Sequence, residues 1–179
     1  MLKIANEPVK ISFTGHDTFP LRHGWLEKAY YAIEKNNINP FSTDDAIIDL
    51  GVGKNMVNAI RHWALATNFI VRTDDGYAHS NYAKRLLGED VDPFLENTGS
   101  LWKIHYELCK KHSCTTAYWI FSFLNTPTFS KDYLELKLKE FAEEHGKPVN
   151  QMKSLKADIN VVLAMYCNPQ NSRGFKEED

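Results

Sequence analysis

The densest set of chemically capable side chains lies near the front of the chain, in Ser12-Phe-Thr-Gly-His-Asp-Thr-Phe-Pro-Leu-Arg-His-Gly-Trp-Leu-Glu-Lys28. Within it His16, Asp17, Arg22 and His23 fall in or beside a loop expected between a strand and a helix. Loops held on rigid elements often carry function. Cutting a phosphodiester calls for a proton-transfer group, a carboxylate to hold a metal and a cation for the phosphate. His16, Asp17 and Arg22 are the candidate catalytic residues for those roles, in that order. A structural reading competes with it and is the one residue types alone favour. Asp17 or Thr18 would organise the turn by accepting from backbone amides, and Arg22 would pair with a nearby acid. A two-metal nuclease would also want more clustered carboxylates than this loop supplies.

A second constellation follows in Leu50-Gly-Val-Gly-Lys-Asn-Met-Val-Asn-Ala-Ile-Arg-His-Trp-Ala64. Lys54, Asn58 and Arg61 recur at i, i+4 and i+7, which places them on one helical face, with Asn55 and His62 beside them. Met56, Val57, Ile60, Trp63 and Ala64 make the opposite, half-buried face. Cations and amides on an exposed helical stripe suit a nucleic-acid groove, so Lys54, Asn55, Asn58, Arg61 and His62 are the candidate binding residues.

The elements needed to position that stripe are also written in the sequence. Ser42-Thr-Asp-Asp45 supplies a cap and an acidic first turn for a short helix running through Leu50. Gly51-Val-Gly53 breaks it, giving the order helix, glycine turn, helix. Phe69–Thr73 and Tyr77–His79 flank Asp74-Asp75-Gly76, a short-hairpin signal, so a wing is expected directly after the second helix. Ser80 is placed to cap a short helix that ends before Gly88. Ahead of this unit, the pattern predicts a strand near Val9–Thr14. A helix near Gly24–Asn36 should follow, burying Trp25, Leu26, Ala29, Tyr30 and Ile33, with Asn36-Asn37 ending it.

Beyond Asp92-Pro93 the chain reads as helical. An aromatic helix runs from Leu101 to about Cys109, followed by the apolar stretch Ala117–Leu124. These aromatics could stack on bases, but core packing is the favoured reading. Thr128-Phe-Ser130 precedes a helix over Tyr133–Ala142, closed by His145-Gly146. Another runs from about Asn150 to Tyr166, with Leu155, Ile159, Val162 and Leu163 inside and Lys153 and Lys156 outside. The tail from Asn168 to Asp179 is loop-like and reads as unfinished. The expected fold is mainly α with a small β wing. A winged helix-turn-helix domain would occupy residues 1–90, and a second helical, helix-turn-helix-like unit residues 91–179.

Composition limits the alternatives. Over 179 residues, 43% hydrophobic and 12% aromatic content fits a globular chain. No apolar run approaches the roughly 20 residues needed to span a bilayer, and the N-terminus lacks a signal peptide's apolar run. A cytoplasmic protein with no membrane partner is expected. The net charge is −2, and residues 42–90 hold five Lys/Arg against seven Asp/Glu. Any DNA affinity must therefore come from placed cations and fall with salt. Cys109, Cys114 and Cys167 form no Cys-x-x-Cys pair and suit a reducing compartment. His105, Cys109 and His112 share a helical face with Cys114 close behind, but no standard zinc spacing results, and packing is favoured over a metal. Gly51-Val-Gly-Lys54 lacks the spacing of a phosphate loop, and no nucleophile elbow or His-Glu-x-x-His motif occurs.

Three blocks in order carry a resemblance. They are Phe13-Thr-Gly-His-Asp-Thr-Phe-Pro-Leu-Arg22 with Trp25-Leu26, Leu50-Gly-Val-Gly-Lys-Asn-Met-Val57 with Ile60-Arg61 and Trp63, and Leu101-Trp-Lys-Ile-His-Tyr106. Over most of residues 11–167 the chain resembles a bacterial domain-of-unknown-function family found beside DNA phosphorothioation genes. One member of that family is the proposed DNA-nicking component of single-strand phosphorothioation defence systems. The resemblance implies a nick that prepares DNA for sulfur insertion into its backbone. DNA, a cysteine desulfurase and an ATP-using sulfur transferase are the implied partners; the metal stays open, with Mg²⁺ or Mn²⁺ the candidates for a nickase. Family members prefer Glu where this chain has Asp17, which keeps a carboxylate in place, and they run longer. Two other functions compete with the nickase. One is a non-enzymatic DNA-binding regulator, and the other is a protein–protein docking subunit.

Overall fold

The structure is a computed structural model that describes residues 10–35, 39–42, 45–89, 91–148 and 152–167. Among them are eight α-helices and one two-stranded antiparallel sheet, so the chain is mainly α with a small β element. Helix α1, Trp25–Lys35, buries Trp25, Leu26, Ala29, Tyr30, Ala32 and Ile33. That stripe includes all five residues expected inside. The expected terminator, Asn36-Asn37, lies outside the described residues.

Helix α2, Asp45–Leu50, is short because the backbone turns left-handed at Gly51, φ +63°. There the Gly51 and Val52 N–H groups donate back to the Ile48 and Ile47 carbonyls, closing the helix end as a Schellman motif. The Lys28 ammonium donates to the Leu50 carbonyl at 2.6 Å and so ties this turn to α1. Helix α3, Lys54–Ala66, begins two residues later, buries Val57, Ile60, Trp63 and Ala64, and ends with Asn68 at φ +55°. Met56, expected on the same face, is half-buried against the core.

Strands β1, Ile70–Thr73, and β2, Gly76–His79, pair in the register Ile70–His79 to Thr73–Gly76. The turn is thus Asp74-Asp75, and the positive φ falls on Gly76 as the first residue of β2. The Ser80 hydroxyl accepts from the Ala83 N–H and caps α4, Asn81–Ala83, which continues as one π turn over Lys84–Gly88.

The break at Asp92-Pro93 has a physical organiser. The Asp92 carboxylate accepts from the Glu96 and Asn97 N–H groups at 3.1 Å each, and the Asn97 side chain caps α5, Thr98–Cys109. Helix α6, Thr115–Phe123, follows, then α7, Lys131–Glu144, capped by Ser130, and α8, Met152–Tyr166. Leu155, Ile159 and Val162 are buried on α8 as expected, Leu163 is half-buried, and Lys153 and Lys156 are exposed. The expected start of α8 near Asn150 lies outside the described residues.

Two expectations fail. From Lys10 to Thr14 there is no strand. Ile11 and Phe13 alternate inward as a strand would, but no neighbouring strand offers a ladder. The Ser12 N–H instead donates to Thr115 Oγ1 at 2.9 Å, and Lys147 donates to the Ile11 carbonyl. The aromatics of α5 and α6 are also divided. Trp119 is buried, whereas Trp102 is 66% exposed, and Tyr106, Phe121 and Phe123 are exposed as well. Helix α6 is apolar on most of its faces, and α5 carries Leu101, Trp102 and Tyr106 on its exposed side.

The buried side chains form two clusters. The larger joins α1, α2, α3 and the hairpin, and also takes Ile104, Leu108, Ala117, Val161 and Val162. The smaller joins Ile11 and Phe13 to Trp119, Leu134, Leu138, Phe141, Leu155 and Ile159. Among the described residues no helix is long and apolar enough to cross a membrane.

Candidate nucleic-acid interface

The front loop is laid onto α3, and each contact traces to a residue type. At Gly15 the backbone has φ +113°, and a Cβ there would sit 2.5 Å from His62 Nδ1 on α3. Glycine is required on both counts. Asp17 and Thr18 also take left-handed angles, φ +45° and +65°, as the chain turns so that the Phe19 N–H donates to the His16 carbonyl at 2.8 Å. Trp63 then closes the turn from below, its indole N–H donating to the Phe19 carbonyl at 2.9 Å.

His16 is 3% exposed, with its ring stacked on Trp63 at 5.9 Å and edge-on to His62. Its Nδ1 accepts from the Thr18 N–H at 3.0 Å. That places the ring proton on Nε2, which donates to Asp158 Oδ1 of α8 at 2.7 Å. Both nitrogens are engaged inside the protein. The second Asp158 oxygen is buried without a partner, so His16 supplies this carboxylate's one hydrogen bond among the described residues.

Asp17 and Arg22 sit outside. Asp17 is exposed, and its Oδ2 accepts from Asn58 Nδ2 at 3.1 Å. Arg22 is exposed, with its guanidinium over the rings of Phe19 at 5.8 Å and Trp25 at 5.5 Å. The acid pairing expected for Arg22 is replaced by stacking on aromatic faces. The structure thus brings His16 and Asp17 onto α3 and leaves Arg22 on the α1 side of the loop.

On α3 the candidate stripe converges. Lys54, Asn58 and Arg61 line one groove of about 250 Å³ with Phe41, Ser42, Ala46, Ile47 and Val57, between α2 and α3. Lys54 and Asn55 are exposed, in a first turn whose N-cap, Gly53, offers no side-chain acceptor. That first turn therefore presents backbone N–H groups next to a lysine, a combination that suits an anion. His62 lies elsewhere, packed under Gly15 and against His16 and Trp63. Burial, reinforced by the neighbouring His16 and Arg61, pulls its pKa down to about 4. It carries no charge at neutral pH.

The thiol–imidazole set of α5 does not gather. His105 Nδ1 lies 2.8 Å from the Tyr166 hydroxyl and 3.4 Å from Cys109 Sγ, while His112 packs on Tyr118. Burial raises the Cys109 thiol to about 11 and the Cys114 thiol to about 12, which keeps both protonated. Among the described residues no group of three or more His, Cys, Asp and Glu is placed to hold a metal ion.

Sequence reasoning missed Asp158 and the hydrophobic side of the groove. Asp158 did carry a signal, since it falls on the buried Leu155–Ile159–Val162 stripe where a carboxylate must find a partner. Nothing in the sequence ties it to a histidine 142 positions earlier.

A family described as "Protein of unknown function (DUF4007)" matches residues 13–179. No curated protein matches. Two solved structures are similar. A magnesium ion-bound SspB crystal structure is 32% identical with a TM-score of 0.77, over 94% of this chain and 53% of that one. An SspB crystal structure is 32% identical with a TM-score of 0.77, over 89% of this chain and 51% of that one. The chain thus spans about half the length of the SspB chains it matches. With its front loop, its α3 block and its fold all inside the matched span, the chain belongs to the DUF4007 family and is similar in structure to SspB.

Proposed function

We propose that this chain is a DNA-binding component of a bacterial DNA phosphorothioation system, with α2, the glycine turn, α3 and the β1–β2 hairpin acting as a winged helix-turn-helix. The observation that carries the reading is the convergence of Lys54, Asn58 and Arg61 on one groove beside the exposed first turn of α3. In this arrangement Lys54 and Arg61 neutralise backbone phosphates, and Asn55 and Asn58 meet base edges or sugar. His62, neutral and packed beneath the loop, serves as support. The likeness to SspB supports the assignment to a phosphorothioation system, with a cysteine desulfurase and an ATP-using sulfur transferase as protein partners.

The front loop has a positional role in this reading. A general base must present a free lone pair to its proton donor. His16 has neither a free nitrogen nor exposure. A relative was crystallised with magnesium, so the fit of a metal bears on the question. The described residues supply no converging donor set for one.

Nicking by His16, Asp17 and Arg22 is the second reading, favoured by the exposure of Asp17 and Arg22 on one loop. It requires His16 Nδ1, the nitrogen that carries the lone pair, to release the Thr18 N–H and reach solvent. A gel of supercoiled plasmid incubated with the chain and Mg²⁺ or Mn²⁺, beside a His16→Ala/Asp17→Ala variant, separates the readings. The DNA-binding reading predicts intact supercoils and a mobility shift that fades with salt. Open circles from the wild type alone would establish nicking at the front loop. No shift at low salt would leave the docking-subunit reading instead.

A further inference from the structure

Among the described residues, the one polar contact from the front loop to the exposed stripe of α3 is the hydrogen bond between Asp17 and Asn58. A carboxylate can only accept, so it fixes which end of the Asn58 amide faces it. Nδ2 turns toward Asp17, so the amide oxygen of Asn58, which lines the groove with Lys54 and Arg61, points away from the carboxylate. Asp17 is itself exposed beside it. The loop therefore adds acceptors to a face otherwise marked by cations.

We infer that Asp17 is a specificity-determining residue, which orients Asn58 to read the exocyclic amino group of adenine or cytosine in the major groove. This rests on the DNA-binding reading above. In the major groove, adenine N6 and cytosine N4 are the donors, whereas guanine O6 and thymine O4 are acceptors. An amide pinned with its oxygen outward favours the first pair. A carboxylate close behind it disfavours the second, because two acceptors facing each other leave both unpaired. An amide free to flip would discriminate less.

The backbone at Asp17 makes a clean substitution available. Asparagine tolerates the left-handed angle that Asp17 adopts, so Asp17→Asn keeps the turn. It removes the acceptor-only partner and lets the Asn58 amide take either orientation. The test is selection of bound duplexes from a randomised pool by wild type, Asp17→Asn, Asn58→Ala and Lys54→Ala, followed by sequencing. Wild type should enrich adenine or cytosine at one position by about tenfold or more, the discrimination one good base contact supplies. Asp17→Asn and Asn58→Ala should lose that preference while still retaining DNA. Lys54→Ala should bind less of every sequence with the preference intact. Duplex binding by wild type with no preference, or a preference unchanged in Asp17→Asn, overturns the inference and leaves the DNA-binding reading standing. No duplex recovered by wild type overturns both.

Discussion

The His16 imidazole and the Asp158 carboxylate act together as a buried clasp. The two are separated by 142 positions, and their hydrogen bond joins the front loop to α8 inside the protein. Removing either partner leaves the other buried and unpaired, which costs about 1–3 kcal/mol or more. We expect His16→Ala and Asp158→Ala each to lower stability by that order in urea denaturation. The double variant should lose less than the sum, because the groups act as a unit. His62 gives a pH prediction with a definite sign. Its folded pKa, about 4, lies below the ordinary value of 6.5, so the unfolded chain binds the extra proton. Its contribution is complete above pH 6.5 and is lost as pH falls from there toward 4. Unfolding measured across that window should lose this dependence in His62→Gln. Gly15→Ala should be destabilised as well, since both the angle and the approach of His62 forbid a Cβ. At this scale the sequence made residue types legible but not their partners. The front-loop histidine was visible, but its carboxylate was not, since periodicity along α8 says nothing about which loop lies over it.

The elements were far more legible, because helices and turns are written in local spacing. The buried stripe of α1, the Gly51 break, the hairpin and the Ser80 cap all follow from i, i+3, i+4 periodicity and turn chemistry. The segment Lys10–Thr14 defeats that logic instructively. Its alternation is real, but a strand also needs a partner's backbone, and here Thr115 and Lys147 take that place. Helix α3 carries the functional prediction of this scale. Ile60 is fully buried on its inner face, so Ile60→Ala should cost about 2–5 kcal/mol and weaken DNA binding only through unfolding. Lys54→Ala and Arg61→Ala should leave the melting temperature nearly unchanged. Each should reduce the salt slope of binding by about 1.

Across the molecule, the two buried clusters are interleaved. Residues from α5, α6 and α8 enter the cluster around α3, while Ile11 and Phe13 enter the cluster around α7 and α8. The His16–Asp158 bond runs in the same direction. We therefore expect thermal unfolding to be one cooperative transition, coincident by circular dichroism and tryptophan fluorescence. Two transitions would mark residue 90 as an independent boundary. The chain's charge makes the functional account demanding at this scale, since a net charge of −2 offers no general attraction to DNA. Binding must rest on the few cations that α3 sets around its groove. The most direct test is fluorescence anisotropy of a labelled duplex across a salt series, with wild type beside a Lys54→Ala/Arg61→Ala double variant. Wild-type affinity should fall linearly in log–log form, with a slope smaller by about 2 in the variant. Wild type that fails to bind at low salt, or a variant that matches it at every salt concentration, would contradict the claim that α3 is the DNA-binding face.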